Sequence, residues 1–267
     1  MRHLLTYQLH EVEPYINWAY FFHAWRTTAE QSPDLMNDAY QLLRKLEGNI
    51  QTYAIVCIFT ANSDGDDIIT EGISIPFLRQ QHGEECLCWA DFVKPKSMGE
   101  EDHIGLFATS VDEQMVTDGA SDHADDEYHH LLCQTLADRL AEATAERMHE
   151  EVRRNIWGYA PDEHLTPSEL FQERYIGRRP AVGYPSLPDQ SLNFLIDKLI
   201  DMKQIGIQLT ESGAMRPHAS TSGLLFAHPQ AHHFSIGRIG EDQFNDYAKR
   251  RGMPQETMRK FLAANLS

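Results

Sequence analysis

The chain has 267 residues, 42% hydrophobic and 24% charged, so it is long enough to bury a substantial core and is not a disordered tail. Its formal net charge of −17 argues against nucleic acid, which rewards clustered Lys and Arg, and against anionic membranes; it is compatible with simple solubility, with a cationic ligand or with a partner presenting a basic face. No apolar run approaches the roughly 20 residues that span a bilayer, and the start MRHLLTYQLHEVEP has neither a long apolar stretch nor a small-residue cleavage site, which predicts a soluble, cytoplasmic protein.

Residues 1–13 have no clear periodicity, and PYINWAYFFH from Pro14 to His23 is dense in aromatics. Over 34–46, Leu35, Ala39, Leu42 and Leu46 recur at helical spacing, with Asp34 as a cap and Gly48 as a terminator. A strand follows in TYAIVCIF, then a turn-rich ANSDGDD, a short strand in IITEGISI, and further strands in CLCWADFV and IGLFATSV. A helix followed by strands, without regular βαβ alternation, predicts an α+β rather than a doubly wound fold. Cys57, Cys86, Cys88 and Cys133 include no C-x-x-C and are expected to be reduced and structural.

Residues 126–157 give the strongest helix, with Leu132, Leu136, Leu140, Met148 and Val152 at multiples of four. Thr166-Pro167-Ser168-Glu169 reads as an N-cap with proline at the first helical position and an acid in the first turn. An amphipathic helix is predicted over 190–203, closing strands in IGIQLTESGAM, TSGLLFAHP and HHFSIGRI, and two short terminal helices, the last starting at Pro254. No linker divides the chain, so residues 1–267 are read as a single domain.

The most unusual segment is Arg179-Pro180-Ala181-Val182-Gly183-Tyr184-Pro185, with Pro188 beyond. Its prolines forbid a helix or a central strand, which predicts a stiff, extended stretch with much of its backbone free of ladder bonds. Gly183 permits close approach or positive φ, free backbone groups can read a flat polar ring such as adenine, and Arg179 can pair with a carboxylate. The alternative is a rigid surface loop with Tyr184 as a packing residue. Glu142, Glu146 and Glu150 repeat at i, i+4, where like charges are unfavourable; one is available to a cationic ligand, or all form a solvated face offset by Arg153 and Arg154. Glu173 stands six residues before Arg179, and alone it reads as a surface residue. DHADDEYHH gathers His123, Asp125, Asp126, Glu127, His129 and His130, but without a metal-site motif it reads as a polar helix start, and no metal site is expected. There is no G-x-S-x-G, P-loop or G-x-G-x-x-G.

The blocks YINWAYFFHAW, ANSDGDDI, FLRQQ, ADFVKPK, IGLFA, LADRLAEATAERMHEEVRR, WGYAP, RPAVGYPSLPD, LTESGAMRPHASTSG and FAHP, in this order, resemble the activation domain of cobalamin-dependent methionine synthase over nearly the whole chain. R-P-A-x-G-Y-P is the most specific of them. The resemblance implies a single curved α+β domain, with a central antiparallel sheet flanked by helices, that binds S-adenosylmethionine in a shallow groove. In that family the domain docks over a cobalamin-binding module whose cofactor has been oxidised to inactive cob(II)alamin. One electron, typically from a flavodoxin-like donor, and a methyl group from S-adenosylmethionine restore it. Motif for motif, Glu142 and Glu173 fall on the acidic positions of the ligand site and Arg179 on the residue that takes the ligand carboxylate. Ala181, Gly183 and Tyr184 offer backbone contacts and a wall for the adenosyl portion. Two positions depart from the pattern: Asn17 stands where the family has an acid, and His233 where it has an aromatic hydroxyl. No catalytic side chain is implied, because the cobalt itself attacks the methyl carbon. The catalytic and cobalamin-binding modules are not in this sequence, which implies action in trans on a separate methionine synthase in methionine biosynthesis. A docking module for a cobalamin protein that has lost its methyl-donor activity is the alternative.

Overall fold

In the computed structural model, which describes residues 2–115 and 127–266, strand β1 (Arg2–Gln8) leads into short helices α1 (Leu9–Val12) and α2 (Trp18–Ala24) and then α3 (Pro33–Leu46). Strands β2 (Gln51–Asp64), β3 (Asp67–Thr70), β4 (Ile73–Pro76) and β5 (Asp102–Val111) precede the long helix α4 (Glu127–Glu151). Helices α5 (Pro167–Phe171) and α6 (Leu192–Ile200), strands β6 (Gln208–Leu209), β7 (Met215–Arg216) and β8 (Ser220–Leu225), and helices α7 (Glu241–Arg250) and α8 (Gln255–Phe261) complete the order.

The main sheet is antiparallel, with order β4-β3-β2-β5-β8, and β1 pairs with the first half of β2 on the side that β3 takes further along. β2 reads as a nearly continuous apolar run because both of its faces are covered. Ala54 and Val56 point into a core shared with α3 and α4, while Ile55 and Cys57 point into a second core built with Trp89, Phe226 and α6. Phe107 on β5 joins the first core and Leu106 and Ala108 the second, as the period of two requires. The sheet curls as a half-barrel, and the α+β architecture expected from the sequence is the one found. Among the described residues no helix is long and apolar enough to cross a membrane.

Several local expectations are corrected. Residues 2–12 form β1 and α1 rather than an irregular lead. Helix α3 starts at Pro33, with Ser32 rather than Asp34 at the cap position. The turn in ANSDGDD shrinks to Gly65-Asp66, and IITEGISI is two strands joined by Glu71-Gly72, both left-handed (φ 48° and 72°), the backbone of a tight hairpin. CLCWADFV contains a 3-10 turn at Trp89–Phe92 instead of a strand. The Asp91 carboxylate accepts the Cys88 N–H at 2.8 Å, and buried Trp89 and Phe92 recur at three, not two. The long helix ends at Glu151 in a π turn, Val152–Ile156, and Asp126 lies outside the described residues. IGIQLTESGAM supplies only the two-residue β6 and β7, and HHFSIGRI forms no strand: Ile236 and Ile239 are buried against α7 and α8. The α5 cap is as expected, with Thr166 and Glu169 bonded reciprocally.

Candidate functional site

Arg178 to Asp189 runs along the outer edge of β8. The Arg178 N–H donates to the Phe226 carbonyl and the Phe226 N–H donates back, both at 2.9 Å. Leu224 donates to the Pro180 carbonyl at 3.0 Å, and Val182 donates to Ser222 at 2.9 Å. Pro180 faces β8 and bonds it through its carbonyl alone, and at the edge of the sheet the one missing donor is tolerated. The expected free backbone is therefore only half free: alternate residues are consumed by β8 and the Ala181 carbonyl accepts the Tyr184 N–H at 3.4 Å, while the main-chain groups of Arg179 and the Ala181 N–H turn outward. This approach needs glycine opposite, since a Cβ on Gly223 would lie 2.1 Å from the Pro180 oxygen. Beyond Ala181 the chain folds back at Gly183 (φ 92°), whose N–H donates to Leu187 at 2.9 Å. Trp89 Nε1 holds the Ser186 carbonyl at 2.9 Å, and the Tyr247 hydroxyl holds the Asp189 carboxylate at 2.7 Å. The segment is thus clamped by the sheet, by the Trp89 turn and by α7.

Three ion or hydrogen-bond pairs radiate from this segment. Arg179 reaches α4, where Nη2 donates to Glu146 Oε2 at 3.2 Å. The Tyr184 hydroxyl donates to Glu142 Oε1 at 2.9 Å, one turn earlier on the same helix, and the Tyr184 ring is left half exposed. Glu173, in the left-handed conformation just after α5 (φ 53°), lies between Arg178 (3.4 Å) and His233 (3.4 Å). Burial works against the charge on Arg179, but Glu146 and Glu142 outweigh it and hold the guanidinium above its ordinary pKa. Burial pushes the Glu146 carboxyl up, opposed by Arg179 and Arg153. The Tyr184 phenol is pushed up to about 12 by burial and the Glu142 charge. Burial lowers His233 despite Glu173 beside it, so its imidazole favours the neutral form.

Beneath the pairs lies a buried polar floor. His149, with no exposed surface, stacks edge-on to Tyr175 at 5.0 Å and meets the Tyr159 hydroxyl at 3.4 Å. Burial, reinforced by Arg153, Arg179 and Arg178, holds it well below the usual histidine range. Arg153 is fully buried, clasps Glu163 at 2.7 Å and places its guanidinium over the Tyr175 ring at 4.2 Å.

The structure therefore brings Glu142, Glu173, Arg179, Ala181, Gly183, Tyr184 and His233 to one side of the molecule, on α4, on the loop after α5, on the β8 edge and on the segment before α7. Asn17 sits at the N-terminal cap position of α2 and makes no side-chain hydrogen bond to this cluster. Its backbone carbonyl accepts from Tyr20 and Phe21. Reading Glu146 as part of a solvated face offset by Arg153 is corrected: it is 9% exposed and pairs with Arg179, while Arg153 is engaged by Glu163. Glu150 does pair with Arg154, at 3.0 Å, and also accepts the Tyr15 hydroxyl. His149, Tyr175 and Arg178 are not singled out by their sequence pattern, and the i, i+4 run of glutamates does not distinguish Glu146 from its neighbours. The available signal was the density of small residues around Glu146 (Ala141, Ala143, Ala145), which marks a helix buried nearly all round. Among the described residues no three acids, histidines or cysteines are grouped as metal ligands; His123, Asp125 and Asp126 lie outside them. All four cysteines are free thiols.

The family described as "Vitamin B12 dependent methionine synthase, activation domain" matches residues 8–252. A solved structure described as "Crystal Structure of the MetH Reactivation Domain bound to AdoHcy" is similar to this chain at 36% identity and a TM-score of 0.95, covering 100% of this chain and 90% of that one.

Proposed function

The chain belongs to the activation-domain family of vitamin B12 dependent methionine synthase, and from that membership we propose that its cluster binds S-adenosylmethionine and supports reductive methylation of cob(II)alamin on a separate, cobalamin-carrying methionine synthase. Membership places the chain in a methyltransferase system; the ligand, the action in trans and the partners are the proposal. The structural neighbour carries AdoHcy, the demethylated product of that methyl donor.

The observation that carries the reading is the charge layout along the β8 edge. S-adenosylmethionine presents a sulfonium, an ammonium, a carboxylate and an adenine. Glu142, Glu146 and Glu173 against Arg178 and Arg179 leave one negative charge in excess, the complement of a ligand with one net positive charge. Arg179 Nη1 makes no hydrogen bond among the described residues and is not sealed from solvent, so it is free to meet the ligand carboxylate. Glu142 and Glu173 stand on either side to accept from the ammonium and offset the sulfonium. The outward N–H of Ala181 and the turn at Gly183 are open to the adenosyl portion, and the exposed Tyr184 ring walls it. Asn17 and His233 complete the proposed set, Asn17 as an uncharged acceptor on the α2 side and His233 as a ring beside Glu173.

Cobalamin on the partner supplies the metal that accepts the methyl group. The residues here bind and orient the donor, which is the whole contribution required of them, and no nucleophile or general base is assigned. A flavodoxin-like protein is the proposed electron source and the cytoplasm the proposed location. Residues 1–267 act as one domain in this reading, supported by a sheet that contributes to both larger cores.

Calorimetric titration with S-adenosylmethionine and AdoHcy tests the proposal. One-to-one binding is expected, lost in Arg179→Ala. Absence of binding both alone and with a cobalamin partner present would leave a docking module without methyl-donor activity.

A further inference from the structure

Glu146 is the buried carboxylate of the cluster; it enters the charge balance above but is assigned no contact with the ligand. We infer that it is a positioning residue, which acts through Arg179 by fixing the guanidinium so that its open edge meets the ligand carboxylate. The inference rests on the proposed ligand site and deepens it.

Glu146 Oε2 takes Arg179 Nη2 at 3.2 Å, and both side chains are close to nine-tenths buried. Among the described residues Arg179 Nε is sealed without a partner, Nη2 donates to Glu146, and Nη1 makes no hydrogen bond and is not sealed from solvent. A planar fork held at one corner and against the Phe107 ring (5.6 Å) has few other orientations. The alternative partner for Arg179 is Glu142, one helical turn away, whose charge already acts on the guanidinium. Were Arg179 to swing onto Glu142, one internal pair would quench both the group meant for the ligand carboxylate and a group meant for its cation. Glu146 prevents that by occupying Arg179 first, and it leaves Glu142 to the Tyr184 hydroxyl. Glu146 itself is fixed by the α4 backbone, flanked by buried Ala143, Ala145 and His149. It is therefore a rigid reference rather than a mobile competitor.

The test compares AdoHcy with 5′-methylthioadenosine, which keeps the nucleoside and thioether but lacks the amino-acid carboxylate, on wild type, Glu146→Ala and Glu146→Gln, each checked for an intact thermal transition. Glu146→Ala is expected to weaken AdoHcy at least tenfold and to leave 5′-methylthioadenosine within twofold. Glu146→Gln, which keeps the volume and one acceptor and so guards against misfolding, gives a smaller loss in the same direction. Equal weakening of both ligands would reduce Glu146 to a general structural residue and overturn the inference, as would unchanged affinity for both. Failure of wild type to bind AdoHcy would overturn the site reading itself, a result distinct from either.

Discussion

Replacing Gly223 by alanine is expected to detach the Arg178–Asp189 segment from β8 and weaken ligand binding while the protein stays folded. Gly223 has no unusual φ, so the backbone accepts alanine; the obstacle is space. The new Cβ would lie 2.1 Å from the Pro180 oxygen, 2.9 Å from Ala181 Cα and 2.9 Å from Phe107 Cε1. Relief needs the segment to retreat by about 1 Å, since Cβ contacts under 3.0 Å are essentially never seen. That lengthens the hydrogen bonds from Val182 to Ser222 and from Leu224 to Pro180, now 2.9 and 3.0 Å, beyond useful range. Two lost bonds at about 1 kcal/mol each and overpacking of about 1–3 kcal/mol give a destabilisation of about 3–5 kcal/mol. A typical domain stability of about 5–15 kcal/mol absorbs this. An ångström of misplacement at Arg179 forfeits its charge-assisted bond to the ligand carboxylate, about 1.5–3 kcal/mol, which weakens AdoHcy by about ten- to a hundredfold. Urea denaturation and calorimetric titration read the two effects. Gly105→Ala is the control: its Cβ would meet Leu225 Cβ at 2.7 Å, straining the same sheet without touching the segment. It should cost stability and spare affinity. If Gly223→Ala binds AdoHcy as wild type does, the segment is not positioned by its approach to β8.

Two further expectations concern pH. His149 is buried and held well below its ordinary pKa of 6.5, so on acidification the unfolded chain takes up a proton that the folded one refuses. Stability is therefore full above the unfolded value and falls as pH drops through it, by at most about 2 kcal/mol between pH 7.5 and 5 from this group. Urea melts of His149→Phe should give a flatter stability curve over the same interval, and an unchanged slope would refute the assignment. Affinity for AdoHcy, by contrast, should vary less than threefold between pH 7 and 8. His233 is lowered and Tyr184 is raised to about 12, so neither changes charge in that window; a steep dependence in calorimetry would mean that a titrating group has been missed.

The sequence discloses the parts of the fold whose burial is periodic. β2 and β5 are legible because they are covered on both faces, and α3 because only one of its faces is. β1 was missed because RHLLTYQ is an edge strand with its residues alternately exposed and half covered, so the apolar run that marks β2 is absent. CLCWADFV was misread because apolar content alone cannot distinguish a spacing of two from three when an aspartate closes the turn. HHFSIGRI differs for a related reason: Phe234 is partly covered by Trp89 and Ile236 is buried by the terminal helices, neither by strand pairing. The site divides in the same way. Arg179 to Tyr184 is visible because prolines and a glycine restrict the backbone locally. Glu146 is not, because its partner lies 33 residues away in sequence, and nothing in an i, i+4 run of glutamates says which one faces an arginine.

That difference explains how the charged cluster persists inside the fold. Like charges at Glu142, Glu146 and Glu150 would destabilise an isolated helix, yet each is given a separate partner: Tyr184 and Arg179 from the segment along the β8 edge, and Arg154 with Tyr15 from the helix end and the N-terminal turn. The unfavourable repeat on α4 becomes a row of anchoring points, and the segment that carries Arg179 and Tyr184 is located by two of them. A helix of this kind tolerates loss of one partner poorly, because a buried carboxylate left alone costs more than the pair contributed. The geometry of the ligand groups and the stability of the long helix therefore rest on the same contacts, and substitutions in the row should move affinity and stability together.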